Sequence, residues 1–186
     1  YADDLPLLDY RSSTLEFCEV ASMSMELLTH PFLDEFYSQE DANRARREHL
    51  EGIVSILAWI ATIDAFQHWI YTNPNHTREE RHTYWLQLGE RFGSILDWSG
   101  LEDWRKVGWQ KQLHLFSYPF YYIEYGIAQL GALQMWLQYR DNPSQALENY
   151  ATAMRPGGSR PLPELFKAGG MNFDFGHDTV QLLIDA

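Results

Sequence analysis

Apolar residues recur at helical spacing along nearly the whole chain. The longest such stretch runs from about residue 42 to residue 71, where Ile53, Ile56, Ile60 and Ile63 approximate one helix face. Asp41 stands just before it, at a position suited to capping the helix. No segment shows the strict alternation of apolar and polar residues that is typical of a half-buried strand. The pattern therefore predicts an all-α fold.

Other helices are predicted from their start and stop signals. Cap-type residues precede the helix LEFCEVASMSMELL, Pro119 stands where a helix can begin, and Asn142 with Pro143 forms a cap followed by proline. Further helices are predicted over Arg78 to Ile95, over PELFKAG with Gly169 as its end, and over DTVQLLIDA. No linker divides them, so residues 1–186 are predicted to form one portion of a domain without an internal boundary.

Composition narrows the class of protein. The 186 residues are 45% hydrophobic and 15% aromatic, which excludes a disordered chain, and the net charge of −12 argues against a nucleic-acid surface. The most membrane-like stretch, Pro119 to Leu137, carries Glu124 and two glutamines, and we therefore interpret it as a buried helix. These features predict a soluble, acidic, cytoplasmic protein that binds neither nucleic acid nor membrane.

The segment EVASMSMELL places two carboxylates on one helix face. Glu19, Ser22 and Glu26 are spaced by three and seven residues, in a helix whose other residues are largely apolar and expected to be buried. A buried carboxylate needs a cation or hydrogen-bond donors. A metal ion would satisfy that need, and so would Arg or Lys from a neighbouring helix. Spacing alone favours the ion pair.

The segment HLFSYPFYYIEYG gathers a histidine and several phenols. Tyr122 and Tyr125 share a face of the helix predicted to begin at Pro119, and His114 and Tyr118 are expected to approach from the preceding turn. Phenol and imidazole groups that converge can donate to a developing oxyanion or a peptide carbonyl. The alternative is an aromatic core stripe whose hydroxyls bond to the backbone, and the residues alone favour it.

Four segments in order resemble one family of enzymes. CEVASMSMELL, DAFQHWIY, HLFSYPFYYIEYGIAQLGALQMW and ALENYATAMRPGGSRPLPELFKAGGMNFDF cover nearly the whole chain. Together they are similar to the zinc oligopeptidases of the oligoendopeptidase F / thimet oligopeptidase family. The resemblance implies the helical C-terminal part of a deep-cleft catalytic domain, in a metallopeptidase that cleaves short peptides.

The resemblance also implies roles for individual residues. Glu19 corresponds to the third zinc ligand, beside two histidines of an HExxH helix. Met23 stands where many zinc peptidases with a glutamate as third ligand have an aspartate that orients a ligand histidine, so Glu26 is expected to take that part. The expected catalytic residues are His114, Tyr122 and Tyr125. The expected substrate-binding residues are Tyr118 and Tyr121, and Tyr121 could take the place of Tyr122.

One departure from the family pattern is large. No HExxH sequence occurs in the 186 residues, so its two histidines and its general-base glutamate are expected before Tyr1, in the remaining N-terminal part of the same protein. The chain alone is then expected to be inactive. The alternative hypothesis is a non-catalytic helical domain that holds a peptide or apolar ligand in an aromatic groove.

Overall fold

The structure is a computed structural model that describes residues 1–93 and 96–185. The all-α prediction is confirmed, since the described residues contain helices and no β-strand. The α-helices are α1 (Leu15–Leu28), α2 (Gln39–Thr72), α3 (Arg78–Phe92), α4 (Glu102–Arg105), α5 (His114–Ser117), α6 (Ile123–Asp141), α7 (Pro143–Met154), α8 (Leu162–Ala168) and α9 (His177–Ile184). Short 3₁₀ helices span Leu8–Arg11, His30–Glu35 and Gly108–Lys111.

Helix starts follow local capping chemistry. Asn142 caps α7 as predicted, because its side chain accepts the backbone N–H of Gln145 at 3.2 Å. The cap of α2 differs from the prediction. The Ser38 hydroxyl accepts the backbone N–H of Asp41 at 3.2 Å, so the helix begins before Asp41 rather than after it. The predicted end of α3 at Ile95 lies outside the described residues.

The prediction that a helix begins at Pro119 is wrong, because a turn occupies that position. The Tyr121 N–H donates to the Tyr118 carbonyl at 3.2 Å, and Phe120 has a φ of 61°. Proline followed by a residue with positive φ is the pattern of a type II β-turn. The backbone N–H of Phe120 donates to the buried Gln67 side chain at 2.9 Å, which holds this turn in place. α6 starts only at Ile123.

The chain divides into two compact units. The first unit comprises residues 1–47 and 127–186, and the second comprises residues 48–126. The first unit has its own apolar core, in which Phe17 of α1 and Phe166 of α8 contact each other with ring centroids 5.9 Å apart. The sequence-based expectation of a single domain portion stays a prediction.

The second unit is built around aromatic residues. Its buried core residues are Ile60, Ile63, Phe66, Trp85, Leu88, Trp109 and Tyr122. The Trp85 indole N–H also donates to the Arg105 carbonyl at 3.0 Å, which ties α3 to α4. This core positions the segment that leads into His114.

α2 is the one helix in residues 1–93 and 96–185 that is long and apolar enough, by length and composition, to cross a membrane. It is therefore more membrane-like than the stretch after Pro119 that the sequence singled out. Ile60, Ile63 and Phe66 of this helix are buried in the core of the second unit, and this packing accounts for part of its apolar content.

Candidate active site

α1 presents two different faces within the first unit. Phe17, Val20 and Leu27 are buried, whereas Glu19 is half-buried and Glu26 is exposed. The expectation that this helix is largely buried is therefore wrong for the carboxylate face. The reason is the helical period: the core takes up one stripe of α1, and Glu19 and Glu26 lie beside that stripe.

The Glu19 carboxylate has little local support. The Ser22 hydroxyl lies 3.4 Å from Glu19 Oε2 and donates to the Glu19 carbonyl at 3.1 Å. Within the described residues no Lys or Arg side chain pairs with Glu19, so the ion pair that spacing alone favoured is not formed there. Met23 is partly buried against the core and offers no oxygen to a ligand.

Glu19 is the candidate zinc ligand on the carboxylate face of α1. Among the described residues no group of three or more His, Cys, Asp and Glu side chains is placed to hold a metal ion. Glu19 can therefore supply one ligand of a zinc site, but the described residues do not form such a site by themselves.

His114 is the first residue of α5, and its position follows from the packing of the segment before it. Trp109, in the preceding 3₁₀ helix, is buried in the core of the second unit and anchors that segment. Four tyrosine rings then surround the imidazole. The distance from the His114 ring centroid to the tyrosine ring centroid is 6.2 Å for Tyr118, 5.9 Å for Tyr121, 4.9 Å for Tyr122 and 5.9 Å for Tyr125. These five residues form the histidine–tyrosine cluster.

Both ring nitrogens of His114 have polar neighbours. The Tyr125 hydroxyl lies 3.5 Å from Nε2, and the amide nitrogen of Gln112 lies 2.7 Å from Nδ1. His114 and Tyr125 are both half-buried residues, so they are partly sheltered from solvent. Adjacent donors of this kind suit a carbonyl oxygen on which charge develops.

Tyr122 differs from the other tyrosines of the cluster. It is only 9% exposed, and it belongs to the core of the second unit. Burial raises the pKa of the Tyr122 phenol, and the neighbouring side chains of Trp59 and Gln112 oppose the rise. Tyr118 is 58% exposed, and Tyr121 is half-buried. The catalytic and substrate-binding roles given to these residues stay predictions.

Sequence reasoning missed two neighbours of the histidine–tyrosine cluster, Trp59 and Gln112. Trp59 lies on α2, far along the chain from Tyr122, and its apolar spacing marks it only as a core residue. Gln112 stands two positions before His114, and glutamine in a short loop carries no signal of its own. Only the folded structure brings their side chains to the cluster.

The chain as a whole matches a peptidase family. The model of peptidase family M3 matches residues 3–180, and the chain belongs to that family. It is similar to the solved structure of PZ peptidase A with an inhibitor, at 34% identity and a TM-score of 0.88, over 99% of this chain and 33% of that one.

Two further structures agree with this assignment. An oligoendopeptidase F is 34% identical with a TM-score of 0.85, over 98% of this chain and 32% of that one. An oligoendopeptidase F from Bacillus anthracis str. Ames is 32% identical with a TM-score of 0.78, over 98% and 29%. No curated protein matches the chain. The chain thus spans about a third of the length of the structures it matches.

Proposed function

We propose that the chain is part of a zinc-dependent oligopeptidase, which hydrolyses internal bonds of short peptides in the cytoplasm. The observation that carries the proposal is the pairing of His114 with Tyr125 inside a cluster of phenols, in a member of peptidase family M3. The net charge of −12 fits this proposal better than a nucleic-acid partner.

In this proposal the histidine–tyrosine cluster binds the substrate and steadies the reacting carbonyl. His114 and Tyr125 donate hydrogen bonds to the carbonyl oxygen, and these bonds strengthen as negative charge develops there. The exposed Tyr118 and its neighbour Tyr121 contact the peptide on either side. Tyr122 contributes by holding the cluster together, because its ring is part of the core of the second unit and contacts His114.

Glu19 would be one protein ligand of the zinc ion, and Glu26 would orient a ligand histidine. The two histidines and the general-base glutamate would come from an HExxH segment in the remaining N-terminal part of the same protein. Zinc bound at such a site acts as a Lewis acid and lowers the pKa of a bound water. The carboxylate of Glu19 suits this part, since Arg and Lys leave it unpaired in the described chain.

The test compares the 186-residue chain with a longer polypeptide that adds the HExxH segment. We expect the longer protein to cut an internally quenched peptide at an internal bond, a zinc chelator to stop it, and added zinc to restore it. The chain alone is expected to be inactive and to bind zinc only weakly by calorimetry, because one carboxylate is far short of a tetrahedral site.

Two results would contradict this proposal. Tight stoichiometric zinc binding by the chain alone would show that Glu19 is not one ligand of a shared site. Peptide binding without hydrolysis by the longer protein would favour the alternative, a non-catalytic helical domain with an aromatic groove.

A further inference from the structure

Gln112 lies beside the imidazole of the histidine–tyrosine cluster. Its amide nitrogen is 2.7 Å from His114 Nδ1. Gln112 is half-buried, so solvent competes only in part for this bond.

The backbone on both sides of Gln112 is fixed. Its N–H donates to the Trp109 carbonyl at 3.1 Å, where the 3₁₀ helix ends, and its carbonyl accepts the N–H of Leu115 at 3.1 Å. Trp109 is only 6% exposed. The side chain of Gln112 therefore starts from a backbone that is held by a buried anchor before it and by α5 after it.

The direction of the hydrogen bond between Gln112 and His114 follows from the chemistry of the two groups. The amide nitrogen of Gln112 carries hydrogens and can only donate, so His114 Nδ1 accepts from it.

We propose that Gln112 is a positioning residue that sets the tautomer of His114. By donating to Nδ1, it keeps the ring hydrogen of the neutral imidazole on Nε2, the nitrogen beside the Tyr125 hydroxyl. The catalytic consequence rests on the proposed function. With the hydrogen on Nε2, His114 donates to a peptide carbonyl oxygen, whereas the other tautomer would present a lone pair to it.

The tautomer can be read directly in the full 186-residue chain. Nitrogen-15 NMR separates a protonated ring nitrogen from a bare one, and a His114→Asn variant identifies the resonances of His114 among the seven histidines. At a pH of about 8.5, where an ordinary imidazole is neutral, we expect the hydrogen of His114 on Nε2. A hydrogen on Nδ1 in the unsubstituted chain would overturn the proposal, whatever happens in any variant.

Gln112→Glu sharpens the test, because a carboxylate can only accept. It should draw the ring hydrogen to Nδ1, so that the two nitrogen resonances of His114 exchange positions. Gln110→Glu is the matched control, since Gln110 is exposed in the 3₁₀ helix just before Gln112 and the variant carries the same added charge. The control should leave the tautomer on Nε2. An unchanged tautomer in a folded Gln112→Glu variant would contradict the proposal.

Kinetics then separate this inference from the proposed function. In the active longer polypeptide, Gln112→Glu should lower kcat on the order of 100-fold with a smaller change in KM, as loss of one oxyanion donor does. If the tautomer changes but kcat does not, Gln112 sets the tautomer and the donor role of His114 is wrong. If the longer polypeptide hydrolyses no peptide at all, the proposed function fails while the NMR result stands.

Discussion

The carboxylate face of α1 and the histidine–tyrosine cluster are built in opposite ways. Glu19 lies beside a well-packed stripe of α1 and takes little part in that packing, with Ser22 as its local partner. His114 and the tyrosines, in contrast, contact one another, and Tyr122 belongs to the core of the second unit. On α1 the candidate functional group lies outside the packed core. In the histidine–tyrosine cluster the candidate functional groups also take part in the packing.

This difference has a consequence for substitution. A change at Glu19 should affect a bound metal and leave the fold intact, because the core below the helix is made by other side chains. A change at Tyr122 should affect both stability and function, because its ring is buried in the core of the second unit and contacts His114.

The largest expected effect separates the two faces of α1. Phe17 is 1% exposed and contacts Phe166, so Phe17→Ala should lower the free energy of unfolding by about 3–5 kcal/mol. Glu19→Gln keeps the shape of the side chain, and its free energy of unfolding should stay within about 0.5 kcal/mol of that of the unsubstituted chain. Urea denaturation of the 186-residue chain measures both. A loss of several kcal/mol in Glu19→Gln would mean that the carboxylate is structural.

The next effect concerns the buried hydroxyl of the cluster. Tyr122→Phe keeps the ring but removes the hydroxyl beside the polar side chains of Trp59 and Gln112, which should lower the free energy of unfolding by about 1 kcal/mol. Tyr118→Phe is the control, because Tyr118 is 58% exposed and its loss should change stability by less than about 0.5 kcal/mol. Equal effects in the two variants would remove the distinction between structural and open tyrosines.

The smallest effect appears at alkaline pH and compares one tyrosine from each unit. Burial raises the pKa of Tyr122 in the second unit and of Tyr150 in the first. A phenol in the unfolded chain ionises near pH 10, before these two, so the folded state then binds more protons. Their contribution to stability is full below about pH 10 and is lost as pH rises through the folded-state pKa values.

Urea denaturation at a series of pH values above about 9 checks this contribution. The unfolding free energy should fall with pH more steeply in the unsubstituted chain than in Tyr122→Phe or Tyr150→Phe. Identical slopes in all three chains would show that neither phenol is protected from ionisation by the fold.

Most of the helices could be predicted from sequence, because apolar spacing and capping residues are local signals. The turn at Pro119 could not. Proline suits the first position of a helix and the second position of a turn equally well, and the choice depends on Phe120 adopting a positive φ while Gln67 accepts its N–H. That contact joins residues far apart in the chain, so no local pattern reveals it.

The sequence also predicted part of the candidate site, namely which residues lie close together. Tyr122 and Tyr125 were placed near His114 from the motif, and the structure brings them together. The ranking within the cluster was beyond the sequence, because it depends on how deeply the fold buries each ring. The surroundings of Glu19 were misjudged for a related reason: apolar composition indicates that a helix packs, but not which neighbouring positions stay open.

The most direct measurement is the steady-state kinetics of Tyr125→Phe in the longer polypeptide that carries the HExxH segment. If the Tyr125 hydroxyl donates to the oxyanion, its loss should lower kcat on the order of 100-fold and change KM much less. Glu19→Gln in the same protein should lose activity through zinc loss, and excess zinc should restore part of it. A Tyr125→Phe enzyme with unchanged kcat and a lower melting temperature would show that the hydroxyl only supports the fold.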